Sequence, residues 1–309
     1  MKRVSIVIFI ILITFVFDTK ILGDTIYNIY SKYLIDHNIK IVSNDNFLKT
    51  NKYHNEDISN TIKETDDYLV DNKSELINVY YTAVNNGFDS LTFYCSKEYI
   101  NCMEDINKLD SENNDFSIVN QLVNVYNTYE FIESSYYSNK RVDIKITKRY
   151  SKEDIDKIDN KINELINELG INNYDNIKDK IKVFHDYLAN TNTYDQEMAE
   201  NGKSNYHSNS AIGTLFEGKS VCSGYTDAMS LFLDKLKVKN IRIATDKHVW
   251  NGIYLDGNWY HLDLTWDDPV LSDNSNIIQY DYFMITTEEL KKLDDTDHNY
   301  DTNTYSFIY

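Results

Sequence analysis

The chain is short of positive charge. Its 31 lysines and arginines stand against 49 aspartates and glutamates, a formal net charge of −18. A nucleic-acid partner needs a basic face for its phosphates, and adsorption to anionic lipid needs basic clusters, so both are excluded. The sequence also lacks the roughly 20-residue apolar run that a membrane-spanning helix requires. Its longest run, residues 4–17, has fourteen residues, and no cysteine follows to serve as a lipoprotein anchor. No Cys-x-x-Cys and no His-x-x-x-His pair occurs, so the fixed local spacing that zinc prefers is missing and no metal is expected. A single proline and nine glycines, with abundant Asn, Ile, Lys, Asp and Tyr, have the look of a mutational codon bias. The 26 tyrosines are accordingly expected to be half-buried packing residues rather than a binding surface. No internal repeat appears, and 309 residues are enough for one or two domains with a sizeable core.

What is present begins at the N-terminus. Met1-Lys2-Arg3 precedes the apolar run, and Asp18 and Lys20 close it. This order predicts a secretory signal peptide over residues 1–23, with Gly23 as the small residue before cleavage at Asp24. The alternative is an uncleaved N-terminal anchor extended by Ile21 and Leu22. In either case the protein is expected to be secreted or held at the cell surface. Of the three cysteines, Cys95 and Cys102 can pair in an oxidising compartment or remain two buried reduced thiols. Cys222 is the odd one out, consistent with a free reactive thiol.

Residues 24–73 are polar, with weak helical signals, and read as a leader. A small α+β module is expected over 74–150. Leu76, Val79, Tyr80, Ala83 and Val84 have helical spacing, stopped by Gly87. Phe88–Cys95 alternates as a strand, 103–109 and 118–125 read as short helices, and 129–137 with 141–149 reads as a hairpin. The remainder, 151–309, is expected to be the catalytic domain. Ser151 and Asp154 form an acidic capping box before Ile155, Ile158, Ile162, Leu165, Ile166 and Leu169, a helix ended by Gly170. A second helix carries Ile177, Ile181, Phe184 and Leu188, with His185 read as a structural residue on it. Residues 190–207 read as a polar loop, and 239–245 as a strand.

The stretch from Val221 to Pro269 holds the chemistry. Cys222 precedes a helical pattern of Ala228, Leu231, Phe232 and Leu236, so it sits at a helix N-terminus, where the macrodipole favours a thiolate. Ser223 and Gly224 are small enough to let a substrate backbone approach the sulfur. Residues 248–255 and 258–263 flank Asp256-Gly257, a two-residue hairpin signal. With these as the central turn residues, Trp250 faces Asp263, and period-two alternation puts His248 on the same face. Asp263 is then a diagonal neighbour of His248, roughly 7–8 Å away at the backbone, close enough to orient its ring. Trp250 is a candidate substrate-groove wall. Asp267, beyond the strand in Trp266-Asp267-Asp268-Pro269, reads as a local cap or solvated charge. Cys222, His248, His261 and Asp263 are permitted metal-ligand types, but without fixed spacing they are read as no metal site.

Three segments, GKSVCSGYT, HVWNGIYLDGNWYHLDLTWDDP and KIKVFHDYLANTNTYD, resemble the core of the transglutaminase-like superfamily, whose fold is papain-like. The resemblance covers roughly residues 125–285; where bacterial members often have glutamine after the cysteine, this chain has Ser223. It implies an α+β fold with the cysteine helix packed on an antiparallel sheet. It also implies Cys222 as nucleophile, His248 as general base and acid, and Asp263 as orienter. The activity implied is acyl transfer on protein or peptide amide bonds, cell-surface or cell-wall material included. Peptidase and transglutaminase outcomes both stay open, and no cofactor is implied. The calcium used by some animal relatives has no recognisable loop here. The competing expectation is a cell-surface binding module that keeps the fold without turnover.

Overall fold

The computed structural model describes residues 38–43, 62–109, 117–269, 277–293 and 296–308. The expected signal peptide or anchor, residues 1–23, lies outside the described residues.

The N-terminal part is a five-stranded sheet covered by helices. Strand β1 (Ile41–Ser43) pairs antiparallel with one edge of β3 (Phe88–Cys95), and β2 (Leu69–Val70) pairs with it in parallel. The hairpin β4 (Tyr129–Tyr136) and β5 (Arg141–Lys148) completes the order β1-β3-β5-β4. Helix α1 (Lys73–Asn85), capped by the Asn72 side chain, buries Leu76, Val79, Tyr80, Ala83 and Val84 against Phe93, Val142 and Ile144. The short helices α2 (Cys102–Leu109) and α3 (Ser117–Leu122) close the module. A disulfide joins Cys95 at the end of β3 to Cys102 at the start of α2, with Cα atoms 6.2 Å apart. Residues 41–43 and 69–70, expected in a polar leader, instead add strands to this sheet. Backbone hydrogen bonds recruit them, such as Thr92 N–H to the Lys40 carbonyl (2.9 Å) and Tyr94 N–H to that of Tyr68 (2.8 Å). Because β1 is fully exposed, it carries no hydrophobic alternation that a sequence reading could detect.

The second part is organised on helices. Helix α4 (Lys152–Glu168) opens with the Ser151/Asp154 capping box, and Gly170 (φ +61) ends it in the left-handed region that glycine tolerates. Helix α5 (Ile177–Thr191) packs Phe184 in a stacked pair on Phe232, ring centroids 4.0 Å apart. The 190–207 segment is not all loop. It holds β6 (Thr193–Tyr194) and a one-and-a-half-turn helix α6 (Gln196–Asn201), whose first turn the Asp195 side chain caps. Strand β6 pairs in parallel with β7 (Lys219–Ser220), which leads directly into α7 (Cys222–Lys235).

Helix α7 lies on a three-stranded antiparallel sheet ordered β10-β9-β8, made of β8 (Lys239–Ala244), β9 (Val249–Leu255) and β10 (Asn258–Leu262). Asp256 and Gly257 both have positive φ, as a two-residue hairpin of the primed type needs. The register follows: Trp259 opposes Tyr254 and Leu262 opposes Asn251, so the expected pairing of Trp250 with Asp263 is the continuation of the ladder. Helix α8 (Leu264–Asp267) turns the chain away from β10, and α9 (Thr287–Leu293) follows. The α+β class expected from the sequence is the class observed.

Candidate active site

Cys222 is the first residue of α7 and the free cysteine among the described residues, half-buried. Its N-cap is Val221, which has no side-chain acceptor, so no side chain caps the first-turn N–H groups. The turn is held from outside. Val221 N–H donates to the Ser208 carbonyl (2.9 Å), and a Cβ on Gly224 would meet that same oxygen at 2.3 Å. Gly224 therefore serves tight packing of the helix start against residues 208–220, not substrate access. The Ser223 hydroxyl donates to the Asn209 carbonyl (3.0 Å), so it too is tied to the neighbouring loop.

Thr226 joins the two elements that carry the reactive groups. Its hydroxyl lies 2.8 Å from the Cys222 carbonyl on α7 and 3.0 Å from the Val249 carbonyl, the residue after His248. Asn251 adds a second link, donating to the Thr226 carbonyl (3.1 Å) and the Ser230 hydroxyl (2.8 Å).

His248 is buried and hydrogen-bonded through Nε2 to Asp263 Oδ2. That leaves Nδ1 to face Cys222, whose side chain also bears on the ring. Burial pulls the pKa of His248 down, but the Asp263 charge and hydrogen bond, reinforced by Cys222, overcome it and hold the imidazole well above its usual range. Asp263 is the N-cap of α8. Its Oδ1 accepts from the backbone N–H of Thr265 (2.9 Å) and Trp266 (3.3 Å), and its Oδ2 from His248 and from His298 Nε2 (2.8 Å). Burial alone would raise the carboxyl; the two histidines reverse that and keep it well below the usual carboxylate range. The arrangement is a buried carboxylate with every lone pair engaged, holding a histidine beside a cysteine.

Two readings need correction, those of Trp250 and Asp267. Trp250 is only 1 % exposed, stacked on the His248 ring at 5.7 Å with its Nε1–H on His261 Nδ1 (3.0 Å), so it supports the histidine from behind and walls no groove. His261 donates its other nitrogen to Thr287 Oγ1 (3.0 Å), and burial first, then the charges of His298 and Lys291, lower its pKa to about 3. It is a neutral strut. Asp267 is not a solvated charge but fully buried, bonded to His185 Nε2 (3.2 Å) and to the Tyr282 N–H (2.9 Å). The chain folds back over it, with Gln279 N–H on its carbonyl at 2.7 Å, a closure made by residues far beyond the turn.

Two neighbours escaped the sequence reading. His298 comes from a segment with no regular pattern, so nothing in the sequence tied it to Asp263. Tyr194, half-buried on β6, has its pKa pushed up to about 12 by burial first and then by the charges of Cys222 and Asp263. Its hydroxyl is therefore a donor near the thiol at neutral pH. The parallel pairing of β6 with β7 is what brings it there.

Among the described residues, His248, Asp263 and His298 each offer a ligand atom within 4.8 Å of the others. Those atoms already bond to one another, so the grouping is accounted for without an ion.

No family model matches the sequence, and no curated protein does. Solved structures similar to it include the following two. One is a transglutaminase, 18 % identical at a TM-score of 0.34 over 44 % of each chain. The other is a candidate cysteine protease from Cytophaga hutchinsonii, 17 % identical at a TM-score of 0.28 over 49 % of this chain and 65 % of that one. The chain spans less than two thirds of the length of either. Its named structural neighbours are thus a transglutaminase and a cysteine protease candidate.

Proposed function

We propose that the protein is an extracytoplasmic thiol acyl-transfer enzyme acting on protein or peptide amide bonds through Cys222, His248 and Asp263. One observation carries this reading: a free cysteine opens a helix beside a histidine whose far nitrogen is held by a buried, fully hydrogen-bonded carboxylate. The Cys222 thiolate attacks the amide carbonyl carbon, and uncapped backbone N–H groups at the start of α7 receive the developing oxyanion. His248 gives its proton to the leaving amine as the C–N bond breaks, leaving a thioester on Cys222. Water or a second amine then attacks the thioester, His248 takes its proton, and the thiolate returns. The first outcome is peptidase or amidase activity and the second is transamidation. The action outside the cytoplasm is supported by the order of residues 1–23 and by the Cys95–Cys102 disulfide, a bond that oxidising compartments preserve.

The test uses the free thiol. Iodoacetamide near pH 6, followed by intact mass, should modify Cys222 much faster than a model thiol, and Cys222→Ala should abolish both labelling and turnover with little change in Tm. Intact-mass screening against cell-wall peptides and proteins then separates cleavage, acyl adduct and cross-link. Labelling no faster than a model thiol would instead indicate a binding module on this fold.

A further inference from the structure

We infer that His298 is a positioning residue for the Asp263–His248 pair, donating to the oxygen that His248 uses and so limiting how tightly the carboxylate holds the imidazolium. The inference rests on the triad reading above.

Asp263 Oδ2 meets Nε2 of both His248 and His298. An ionised carboxylate only accepts, so both nitrogens present an N–H to the same oxygen. The two donors share its lone pairs, and each weakens the claim of the other. Were His298 only a space-filler among Tyr282, Trp250 and Trp266, an apolar ring would serve there equally well. Its ring stacks on Tyr282 (4.9 Å) and stands edge-on to Trp250 (4.7 Å) and to His248 (5.2 Å), which aims Nε2 at the carboxylate. The backbone fixes the same geometry. Thr245 Oγ1 lies 3.0 Å from the Asp297 carbonyl and accepts from the His248 N–H (3.1 Å), so one hydroxyl ties the residue before His298 to His248 itself.

Among the titratable groups around the pair, His261 on β10 feels the charges of His298 and Lys291, and Asp297 bears on Tyr194. Cys222 on α7 and His298 face it directly, and Tyr194 on β6 and Asp267 on α8 act on it through their fields. None of these except His298 donates a side-chain hydrogen bond to Asp263 besides His248. Removing that donor concentrates the carboxylate charge on His248, so the imidazolium should survive to higher pH.

The experiment follows iodoacetamide alkylation of Cys222 against pH in the full-length protein, where the upper inflection reports loss of the His248 proton. His298→Leu should move that inflection up by about half a unit to one unit, while His298→Gln, which keeps an N–H donor, should leave it closer to the wild-type position. Leu and Gln profiles that both coincide with wild type, or a downward shift for Leu, would overturn the inference and leave His298 a packing residue. If His298→Leu does not fold, 15N-histidine-labelled wild type decides the matter. A protected Nε2–H signal that disappears in His298→Gln, with the His248 Nε2–H signal nearly unmoved because Gln still donates, supports the inference; no Nε2–H signal lost in that variant overturns it. A wild-type profile without an upper inflection would sink the triad itself, and the role of His298 with it, before any variant is compared.

Discussion

Among the described residues, Asp263 and Asp267, one helical turn apart, each hold a buried histidine from a different element, and the pairs His248–Asp263 and His185–Asp267 behave differently. His248–Asp263 lies at the start of β9, beside Cys222. His185–Asp267 lies on α5, its ring between Asp186 (3.1 Å) and Asp267 (3.2 Å) and against the Phe283 ring (5.1 Å). Asp263 collects two backbone N–H groups and two imidazoles, enough to keep it ionised in spite of complete burial. Asp267 has one of each, and there burial wins and its pKa is raised. Both histidines sit above their ordinary range, because carboxylates outweigh desolvation at each. A buried histidine–carboxylate contact is thus no sign of catalysis by itself. What separates the pairs is the number of donors on the carboxylate and the presence of a thiol across the ring.

The sharpest way to break this comparison is to delete each histidine in turn. His248→Ala should lower kcat/KM on the substrate found by mass screening by roughly 10³-fold. His185→Ala should leave the folded enzyme near wild-type activity but lower stability by about 3–5 kcal/mol, since it strands a buried carboxylate; denaturant midpoints read the difference. Comparable activity losses would make the two pairs equivalent and the assignment wrong. The carboxylates give the next largest effect. Asp263→Asn should reduce kcat/KM by about 10–10³-fold, less than in serine enzymes because a preformed ion pair leans less on its orienter, with Asp267→Asn nearly silent. Thr226→Val should follow with a loss of roughly three- to tenfold from the loosened spacing of α7 and β9, and about 1 kcal/mol of stability.

The smallest effect is a slope. A histidine with a raised folded pKa contributes stability in full below its unfolded value of about 6.5, and that contribution drains as pH climbs through the folded value. Wild-type stability should therefore fall on going alkaline from about pH 6.5, and His248→Gln and His185→Gln should each flatten part of the decline in urea midpoints taken at successive pH values. An unchanged slope in both variants would mean that neither imidazolium is held by its carboxylate.

Much of the site was legible because the hairpin is local. Asp256-Gly257 fixes a two-residue turn, the turn fixes the register, and the register puts His248 and Asp263 on one face. The helix behind Cys222 announced itself by its apolar spacing in the same way. Burial was not legible. Trp250 and Asp267 have polar or amphipathic character that suits a surface, and they are enclosed because residues 277–293 and 296–308 fold back over the hairpin. His298 was invisible for the same reason: its partner lies 35 positions away, with no periodicity between them. Strand β1 is exposed and held by backbone pairing, and β2 adds only Val70 to the core, so these two- and three-residue strands leave little mark on side-chain order.

Arg242 on β8 reaches out of the C-terminal part of the chain altogether. Its guanidinium bonds Asp227 on α7 (2.8 Å) and the carbonyls of Asn120 and Val123 at the end of α3, while Tyr150 donates to the other Asp227 oxygen (2.7 Å). Removing the chain before residue 151 would leave the buried Arg242–Asp227 pair without the Asn120 and Val123 carbonyls and the Tyr150 hydroxyl that complete its hydrogen bonds. During synthesis the N-terminal sheet emerges first and can form, but its α3 carbonyls wait for an arginine more than a hundred residues later. The two parts thus share one buried hydrogen-bond network: a single cooperative melting transition is expected for the intact protein, and a fragment beginning at residue 151 should fail to fold when expressed alone.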